Sequence, residues 1–428
     1  MIPLPEARAY VLGACEALEA AWVPVDQAVG CVALDPLVAT ESVPPFDNTA
    51  VDGFAVRAAD VAAATPDRPV RLEVVATIRA GHASDVEVGV GQSARIMTGA
   101  PIPAGADAVV MVEDSRPVDQ LVDQPFGAEA TDQVDVESPV QVGQAVRPAG
   151  DDLSPGDPVY PAGDVITAGH LGVLATFGVD RVRVVPRVRV GVLSTGDELV
   201  SGPGPLRPGQ IRDSNRRTLL ALVDQAGGIG VDLGCIADDE AAITAAIEHG
   251  VATCDALITS GGVSMGDFDY VKVVLDRLGE MRWMQVAIRP AKPLAFGTVK
   301  RVAAGGTRRV PVFGLPGNPV SSVVSFELFA RPGLRALMGH RPEALDRPRV
   351  SAVADQALPR RPDGKIHFNR VVTQIGADGL HHVRSAGGQG SHQLSALVGS
   401  NALAVLPDGD GVEPGARVEI MVTDAVTA

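Results

Sequence analysis

The chain has 428 residues, 46% of them hydrophobic, which is enough for about three domains of ~150 residues each. Its formal net charge of −16 argues against nucleic acids and anionic membranes as partners. No run approaches the ~18 apolar residues of a membrane span, no signal peptide is visible, and the scattered cysteines indicate free thiols in a reducing cytosol, so we expect a cytoplasmic protein.

The first part of the chain predicts two helices and a small β domain. Residues 5 to 20 show apolar positions at helical spacing after an initial proline, and residues 166 to 177 also predict a helix. Alternating apolar residues from Val70 to Val112 indicate short β strands. Residues 113 to 146 are rich in carboxylates with few basic residues, so we expect a solvated surface loop there rather than a metal site.

The second part predicts an α/β domain followed by a small β domain. Strand and helix patterns alternate from Val188 to Met338, which indicates a mostly parallel sheet covered on both faces. Ser214 is a candidate N-cap of one helix, and either Asp238 or Asp239 can cap another. Residues 331 to 349 are rich in proline and arginine and predict a linker. Short alternating segments from Val350 onward predict a β barrel or sandwich.

Three predicted strands of this sheet end in turns that suit a bound anion. The turns are Ser194-Thr195-Gly196, Ser260-Gly261-Gly262 and Pro316-Gly317-Asn318. Glycines after a parallel strand let backbone N–H groups approach an anion, and Asn318 before Pro319 indicates a helix start with its positive dipole end. Ligands of open α/β sheets bind at the carboxyl ends of strands. Ordinary strand-to-helix connections are the alternative, but three such turns in one segment favour a phosphate or oxyanion site.

Carboxylates follow two of these turns. Asp197 and Glu198 come after the first turn, and Asp267 and Asp269 come after the second. Carboxylates alone would repel an anionic ligand, whereas Mg²⁺ held by carboxylates neutralises phosphate charge. We therefore predict Mg²⁺ as the cofactor, with these four side chains as its candidate ligands.

Four longer motifs lie outside the three turns. They are Pro44-Pro45-Phe46-Asp47-Asn48-Thr49-Ala50-Val51-Asp52-Gly53-Phe54-Ala55, Arg95-Ile96-Met97-Thr98-Gly99-Ala100-Pro101-Ile102-Pro103, the segment from Arg147 to Asp152, and Ile288-Arg289-Pro290-Ala291-Lys292-Pro293. Together with the turns, and over nearly the whole chain, they resemble the molybdopterin molybdotransferases, which are MoeA in bacteria and the E domains of gephyrin and its plant relatives.

The resemblance implies a multidomain fold of the α/β plus β class. Its centre is a doubly wound, mostly parallel α/β sheet of the molybdopterin-binding type in residues 186–340. Residues 1–45 and 150–185 form an elongated α+β arm for dimerisation, with a small β domain inserted as residues 46–149. Residues 341–428 form a small β barrel. The resemblance also implies a homodimer.

The implied reaction inserts molybdate into adenylylated molybdopterin and releases AMP. The catalytic positions that match by motif are Asp52, Thr98, Asp152, Glu198, Asp238 and Asp269. The substrate-binding positions are Ser194, Thr195, Gly196, Ser260, Gly261, Gly262, Ser264, Arg289, Lys292, Pro316, Gly317, Asn318, Arg370 and Ser391. Asp151 adjoins Asp152, and Asp239 adjoins Asp238, so each of these two assignments has a neighbouring alternative.

Two other functions share parts of this pattern. A molybdopterin adenylyltransferase has similar Ser-Gly-Gly and Thr-Gly-Asp loops but is a single domain, and a non-catalytic scaffold resembles the gephyrin E domain. Further implied partners are the adenylyltransferase itself and proteins that mature molybdoenzymes. One departure from the family pattern matters: Ala291 stands where the family has glycine, which puts the loop in question if that position needs a positive φ.

Overall fold

The computed structural model describes residues 1–82, 85–118, 132–262, 270–303 and 306–424, which form two compact units. The first unit comprises Met1–Asp35, Ala162–Leu171 and Arg181–Ala428, and the second comprises Pro36–Pro161 and Gly172–Asp180. The second unit is therefore inserted into the sequence of the first. Within the described ranges no helix combines the length and the apolar character that crossing a bilayer requires. The division into four domains remains a prediction.

The centre of the first unit is the predicted mostly parallel sheet. Its six strands, in spatial order, are Ile229–Ile236, Arg189–Thr195, Ala256–Ser260, Gly306–Leu315, Pro293–Ala303 and Gly279–Gln285. The first four are parallel to one another, and the last two are antiparallel to their neighbours. The fold class expected from the alternation of strands and helices is confirmed.

Both faces of this sheet are buried, because successive residues of a strand point to opposite sides. Ala256 and Ile258 belong to one apolar core, whereas Leu257 belongs to the other. The helices that supply the first core are Asn215–Gln225 and Pro319–Ser325, and those that supply the second are Glu240–Thr253 and Tyr270–Leu278. The sheet is therefore doubly wound.

The last part of the first unit is a closed barrel, as the sequence predicted. Five strands form the ring, in the order Ile366–Ile375, His381–Ser385, Arg349–Ala354, Arg417–Val422 and Ala402–Leu406. The ring closes because Ala402–Leu406 pairs again with Ile366–Ile375. A sixth strand, Ile288–Arg289, leaves the α/β segment and pairs in parallel with Ile366–His367. The barrel sheet thus includes one short strand from the part of the chain that precedes strand Pro293–Ala303.

The remaining elements of the first unit are short. Its other helices are Leu4–Leu12, Val25–Gln27, Phe326–Ala330, Arg331–Leu337, Pro342–Ala344 and Ser395–Val398, and its other strands are Ala21–Pro24, Val32–Ala33, Arg181–Val185, Leu199–Val200, Ile211–Arg212, Leu358–Pro359 and Gly411–Val412. The predicted helix at residues 166 to 177 is present as Ala168–Thr176, where the chain passes between the two units.

Two sequence-based expectations for the first unit are wrong. The N-terminal helix ends at Leu12 rather than at residue 20, since Gly13 follows as the C-cap. The segment from residue 331 is not a linker at its start, because Arg331–Leu337 is a helix. It packs in the apolar core that contains Ala256 and Ile258, which is the main core of the protein. Its arginines are tolerated there because Glu327, which is buried, forms salt bridges with Arg347 over 3.0 Å and with Arg331 over 3.9 Å.

The second unit contains a six-stranded sheet. In spatial order its strands are Ala108–Met111, Gly53–Val56, Gln92–Ile96, Val70–Ile78, Gln133–Val136 and Ser115–Pro117. Its shorter elements are strands Leu37–Val38, Asn48–Thr49, Val146–Arg147 and Pro158–Tyr160 and helices Ala58–Val61 and Val112–Asp114. The β strands predicted between Val70 and Val112 are therefore present.

The acidic segment that follows is only partly the solvated loop we expected. Gln133–Val136 is a strand within it, and Asp135 is buried there. The carboxylate of Asp135 accepts two hydrogen bonds from the Arg71 guanidinium, at 2.8 and 3.0 Å. A buried carboxylate needs such a partner, which sequence spacing alone does not reveal.

The environment of His340 makes the unfolding free energy of the first unit depend on pH. Burial, with the positive charges of Arg335 and Arg331, lowers the pKa of His340 from 6.5 to about 4. Between these two values the unfolded chain binds a proton that the folded chain does not, so stability is fully present above pH 6.5 and is lost as pH falls toward 4.

We therefore expect His340→Gln to reduce the acid sensitivity of the protein. Urea titrations from pH 6.5 down to pH 4 should show a smaller loss of unfolding free energy in the variant than in the wild type. The difference should be about 1–2 kcal/mol after allowance for solvent screening. Parallel pH profiles for the two proteins would contradict the assignment to His340.

Candidate anion-binding and catalytic site

The three turns predicted to bind an anion lie side by side at one edge of the central sheet. Strand Ala256–Ser260 is the middle strand, and Ser260 is aligned with Ser194 on one side and with Leu315 on the other. The N–H of Gly261 also donates to the Leu315 carbonyl over 3.1 Å. The parallel register thus brings the turns after residues 195, 260 and 315 to the same level.

The middle turn requires glycine at position 261. Gly261 has a φ of +97°, and a Cβ placed there would lie 2.9 Å from the carbonyl oxygen of Thr195. A side chain would therefore be strained by its backbone angle and would collide with the neighbouring turn. Glycine lets the two turns pack closely, which also leaves their backbone N–H groups near one another.

The hydroxyl of Ser194 is engaged inside the protein. Ser194 is buried, and its Oγ donates to Oδ2 of Asp213 over 2.6 Å. The same carboxylate accepts a hydrogen bond from Nε of Arg216 over 2.8 Å. Ser194 therefore anchors the first turn through its side chain, and its hydroxyl is not directed at a ligand.

Sequence analysis did not identify Asn215, the first residue of helix Asn215–Gln225. Its Nδ2 donates to Oγ of Ser260 over 2.8 Å and to the carbonyl of Gly317 over 2.7 Å, so it connects the second and third turns. Ser214, expected to cap this helix, makes no side-chain cap hydrogen bond. Asp213 takes that role instead by accepting from the Arg216 N–H over 3.2 Å.

Three of the predicted catalytic or metal-binding carboxylates lie together. Asp197 and Glu198 follow strand Arg189–Thr195, and Asp238 follows the neighbouring edge strand Ile229–Ile236. Asp197 and Glu198 are exposed, and Oδ1 of Asp197 accepts from the backbone N–H of Asp238 over 3.0 Å. Burial, together with the negative charges of Asp197 and Glu198, raises the pKa of Asp238 above its ordinary value. These carboxylates therefore repel one another, which favours either a proton on Asp238 or a bound cation.

The choice between Asp238 and Asp239 as helix cap is settled by geometry. The carboxylate of Asp239 accepts from the Ala242 N–H over 2.8 Å at the start of helix Glu240–Thr253. Asp238 is consequently not the cap. A cleft of about 580 Å³ lies beside this group and is bordered by Asp197, Arg207 and Cys235, among others.

The predicted Mg²⁺ ligands are only partly covered by the structure. Ser264, Asp267 and Asp269 lie outside the described residues. In the part of the chain that the structure describes, no three His, Cys, Asp or Glu side chains are close enough to hold a metal ion. Asp197 and Glu198 are thus the described members of the predicted set.

The loop with the predicted cations has an unusual backbone at Ala291. This residue has a φ of +75° and is 3% exposed, so it occupies the left-handed conformation that favours glycine. Its neighbour Lys292 is exposed, and its carbonyl accepts from the Val286 N–H over 2.8 Å. The loop therefore keeps a geometry suited to glycine although the residue is alanine, at a cost of roughly 1–2 kcal/mol.

Arg289 points toward an ionic cluster at the base of the barrel. Its Nη1 lies 3.9 Å from Oδ2 of Asp363. Although burial opposes the change, hydrogen bonds from Lys365 and His367 lower the pKa of Asp363 to about 2. Four basic side chains, those of Arg289, Arg360, Lys365 and His367, thus surround the Asp363 carboxylate, which leaves the surroundings of Arg289 with an excess of positive charge.

The third turn begins a helix, as predicted. Asn318 is the N-cap of Pro319–Ser325 with an extended backbone, and its side chain makes no cap hydrogen bond. The N–H of Val320 donates to the carbonyl of Ser391 over 3.1 Å. A loop of the barrel therefore lies against this helix start, and it is the backbone of Ser391 rather than its hydroxyl that makes this contact.

Arg370 is buried completely beneath the same loop. Its Nη2 donates to the carbonyls of Gly388 and Gly390 at 2.6 and 3.2 Å, and Gln389 hydrogen-bonds to its backbone. Its Nε and Nη1 have no hydrogen-bond partner among the described residues. Burial lowers the pKa of the guanidinium. A buried cation with two vacant donors suits an anionic ligand.

The remaining predicted catalytic residues lie in the second unit. Both the N–H and the hydroxyl of Thr98 donate to Oδ1 of Asp52 over 2.7 Å, which holds the pKa of Asp52 below its ordinary value. The next residue, Gly53, has to be glycine because a Cβ there would collide with the Val110 carbonyl. Asp152 is exposed, and its N–H donates to the Val43 carbonyl over 2.9 Å. The structure brings Asp52 and Thr98 together as an exposed, hydrogen-bonded pair in which the Asp52 carboxylate is the acceptor.

Comparison with known proteins agrees with this architecture. Models of the MoeA N-terminal region (domain I and II), of a probable molybdopterin binding domain and of the MoeA C-terminal region (domain IV) match residues 2–178, 191–336 and 354–423. The fold and these matches define a multidomain protein built around an α/β domain of the molybdopterin-binding type.

Full-length relatives identify the family. Molybdopterin molybdenumtransferase 2 of Mycobacterium tuberculosis is 38% identical over 408 residues, 94% of each chain. Molybdopterin molybdenumtransferase of Bacillus subtilis is 35% identical over 424 residues, 98% of this chain and 94% of that one. The MoeA structure from Pyrococcus horikoshii matches with a TM-score of 0.71 at 27% identity over 99% of this chain and 100% of that one. The chain belongs to the MoeA family.

The strained backbone at Ala291 predicts that Ala291→Gly stabilises the protein. Glycine relieves the positive φ but costs about 0.5–1 kcal/mol in unfolded-state entropy, so the net gain should be about 0.5–1 kcal/mol in chemical denaturation. Ala295→Gly is the matched control, since Ala295 is fully buried in a strand, and that change should destabilise. A loss of stability in Ala291→Gly would contradict the assigned strain.

Proposed function

We propose that this protein is a molybdopterin molybdotransferase, which inserts molybdate into adenylylated molybdopterin and releases AMP. The observation that carries the proposal is the set of three anion-compatible turns aligned at one edge of a parallel sheet, with Asp197, Glu198 and Asp238 beside them. Such an edge suits a phosphate-bearing ligand, and the acidic group suits the cation that accompanies it. The full-length relatives named molybdopterin molybdenumtransferase support the same activity.

The substrates are anions, while the chain carries a net charge of −16. The attraction of local donors therefore has to exceed the repulsion by remote carboxylates. At physiological ionic strength salt screens that repulsion beyond a Debye length of about 8 Å. We assign the phosphate groups of the pterin nucleotide to the turns at 194–196, 260–262 and 316–318, together with Ser264. Molybdate is assigned to Arg289 and Lys292, with Arg370 and Ser391 on the barrel side and the helix start at Asn318 adding its positive dipole end.

Mg²⁺ is the proposed cofactor. Burial, together with the negative charges of Asp197 and Glu198, raises the pKa of Asp238, and a bound cation would offset those charges. Asp197, Glu198, Asp267 and Asp269 would hold the ion, which would neutralise charge on the pyrophosphate. Asp238, whose pKa is raised, is the carboxylate of this group that we assign to take up a proton as AMP leaves. Asp52, Thr98 and Asp152 complete the proposed catalytic set.

The two alternatives receive less support. If the protein were an adenylyltransferase of the single-domain kind, residues 2–178 and 354–423 would have no role, although both ranges match MoeA regions. A purely structural role would not explain the exposed, hydrogen-bonded Asp52–Thr98 pair or the neighbouring carboxylates Asp197, Glu198 and Asp238. We further propose a cytoplasmic homodimer that receives its substrate from an adenylyltransferase and passes its product to molybdoenzyme-maturation proteins.

The proposed metal role predicts that Glu198→Ala and Asp269→Ala bind adenylylated molybdopterin but release AMP slowly. Each loses charge neutralisation in the transition state, which should slow AMP release by roughly 100-fold. AMP is measured in single turnovers with excess enzyme, Mg²⁺ and molybdate. Asp239→Ala is the control, since this cap mutation should cost about 1 kcal/mol of stability while leaving AMP release near wild type. Normal AMP release by both site variants would rule out the metal role.

The proposed oxyanion role predicts that Arg289→Ala and Lys292→Ala need more molybdate for half-maximal insertion. A lost charge-assisted hydrogen bond of about 1.5–3 kcal/mol corresponds to roughly a 10- to 100-fold increase. Arg309→Ala and Lys300→Ala remove the same charges from surface pairs with Glu280 and serve as controls. If the site variants instead lose affinity for the adenylylated pterin, these residues bind its phosphate rather than molybdate.

A further inference from the structure

We propose that Asn215 is a positioning residue that holds the turn at 260–262 against the turn at 316–318 and sets the direction of the Ser260 hydroxyl. The proposal rests on the function proposed above, because it concerns turns assigned to the substrate phosphates. Asn215 belongs to neither turn. It is placed between them at the start of helix Asn215–Gln225.

The orientation of the Asn215 amide follows from its partners. A backbone carbonyl can only accept, so the group that faces the Gly317 oxygen at 2.7 Å must be the NH₂ group. That nitrogen has two hydrogens, and the second lies toward Oγ of Ser260 at 2.8 Å. Both donors of one amide are therefore used to join two separate turns.

This arrangement determines what the Ser260 hydroxyl can do. Since Ser260 accepts from Asn215, its own O–H must be directed elsewhere. Among the described residues, the Ser260 hydroxyl donates to no protein acceptor. Ser260 is 2% exposed at the carboxyl end of the middle strand, and we assign its hydroxyl proton to a phosphate oxygen of the substrate.

The element that carries Asn215 is rigid. Leu219 and Val223 of the same helix are fully buried in the main core. The amide is therefore held by tertiary packing, whereas Gly261 and Gly317 have no side chains that could fix their turns. Removing the amide frees the spacing of the two turns without unpacking the helix, and misplaced donors weaken phosphate binding.

The test compares Asn215→Ala and Asn215→Asp with wild type and with Asn401→Ala. Asn401 is the matched control, because its amide also joins two chain segments, donating to the Thr373 carbonyl over 2.9 Å and accepting from the Thr373 N–H over 2.7 Å, within the barrel. Asp at position 215 suits the positive end of the helix, so this variant should fold stably even where Asn215→Ala does not. Initial rates of AMP release are measured against adenylylated molybdopterin concentration, together with thermal melting.

We expect the KM for adenylylated molybdopterin to rise about tenfold in Asn215→Ala, with kcat changed less than about threefold. Asn215→Asp should show a larger rise at an undiminished melting temperature, because the carboxylate would draw the Ser260 proton toward itself and repel the Gly317 carbonyl. Asn401→Ala should lower the melting temperature and leave KM unchanged.

The outcomes distinguish a failure of the proposed function from a failure of the proposed role of Asn215. If wild type releases no AMP from adenylylated molybdopterin, the proposed function itself fails. If wild type is active and Asn215→Asp folds with a wild-type KM, the positioning role of Asn215 is overturned. A KM increase in Asn401→Ala equal to that of the Asn215 variants would likewise overturn it, since the effect would then be one of general stability.

Discussion

The parallel register of strand Ala256–Ser260 with its two neighbours sets the position of each described turn of the site. Because Ser194, Ser260 and Leu315 are at one level, backbone donors from three distant parts of the chain meet within one edge. The strand is held in this register because it is buried on both faces and hydrogen-bonded to a neighbour on both sides. A shift of register by one residue would turn each side chain of the strand toward the opposite apolar core. It would also move the three turns out of alignment.

Electrostatics in this protein depend on where charges lie rather than on their sum. The chain is strongly acidic, yet the barrel strand Ile366–Ile375 carries the buried Arg370 and pairs with the strand that ends at Arg289. These cations are fixed by the barrel, whereas the carboxylates of Asp197, Glu198 and Asp238 are fixed by the central sheet. Opposite charges are thus supplied by two separate sheets, the central sheet and the barrel.

Patterns of short range predicted the fold well, and interactions of long range account for what the sequence concealed. Strand and helix alternation gave the parallel sheet and the barrel, and the glycine turns gave the described loops of the site. The helix at residue 331 was missed because its buried Arg331 forms a salt bridge with Glu327, a contact that composition cannot display. Asn215 was missed because its partners, Ser260 and Gly317, are 45 and 102 residues away in sequence. Such hydrogen bonds exist only after the strands have paired.

The pairing of Ile2 with Val286 and of Ile288 with Ile366 has a consequence for biosynthesis of the chain. During translation Ile2 lacks its strand partner until Val286, 284 residues later, has left the ribosome, and Ile288 lacks its partner until Ile366 of the barrel has been made. The inserted second unit closes its sheet from residues 53 to 136 alone. It can therefore fold first, as N-terminal units generally do, while the first unit assembles late from both ends of the nascent chain.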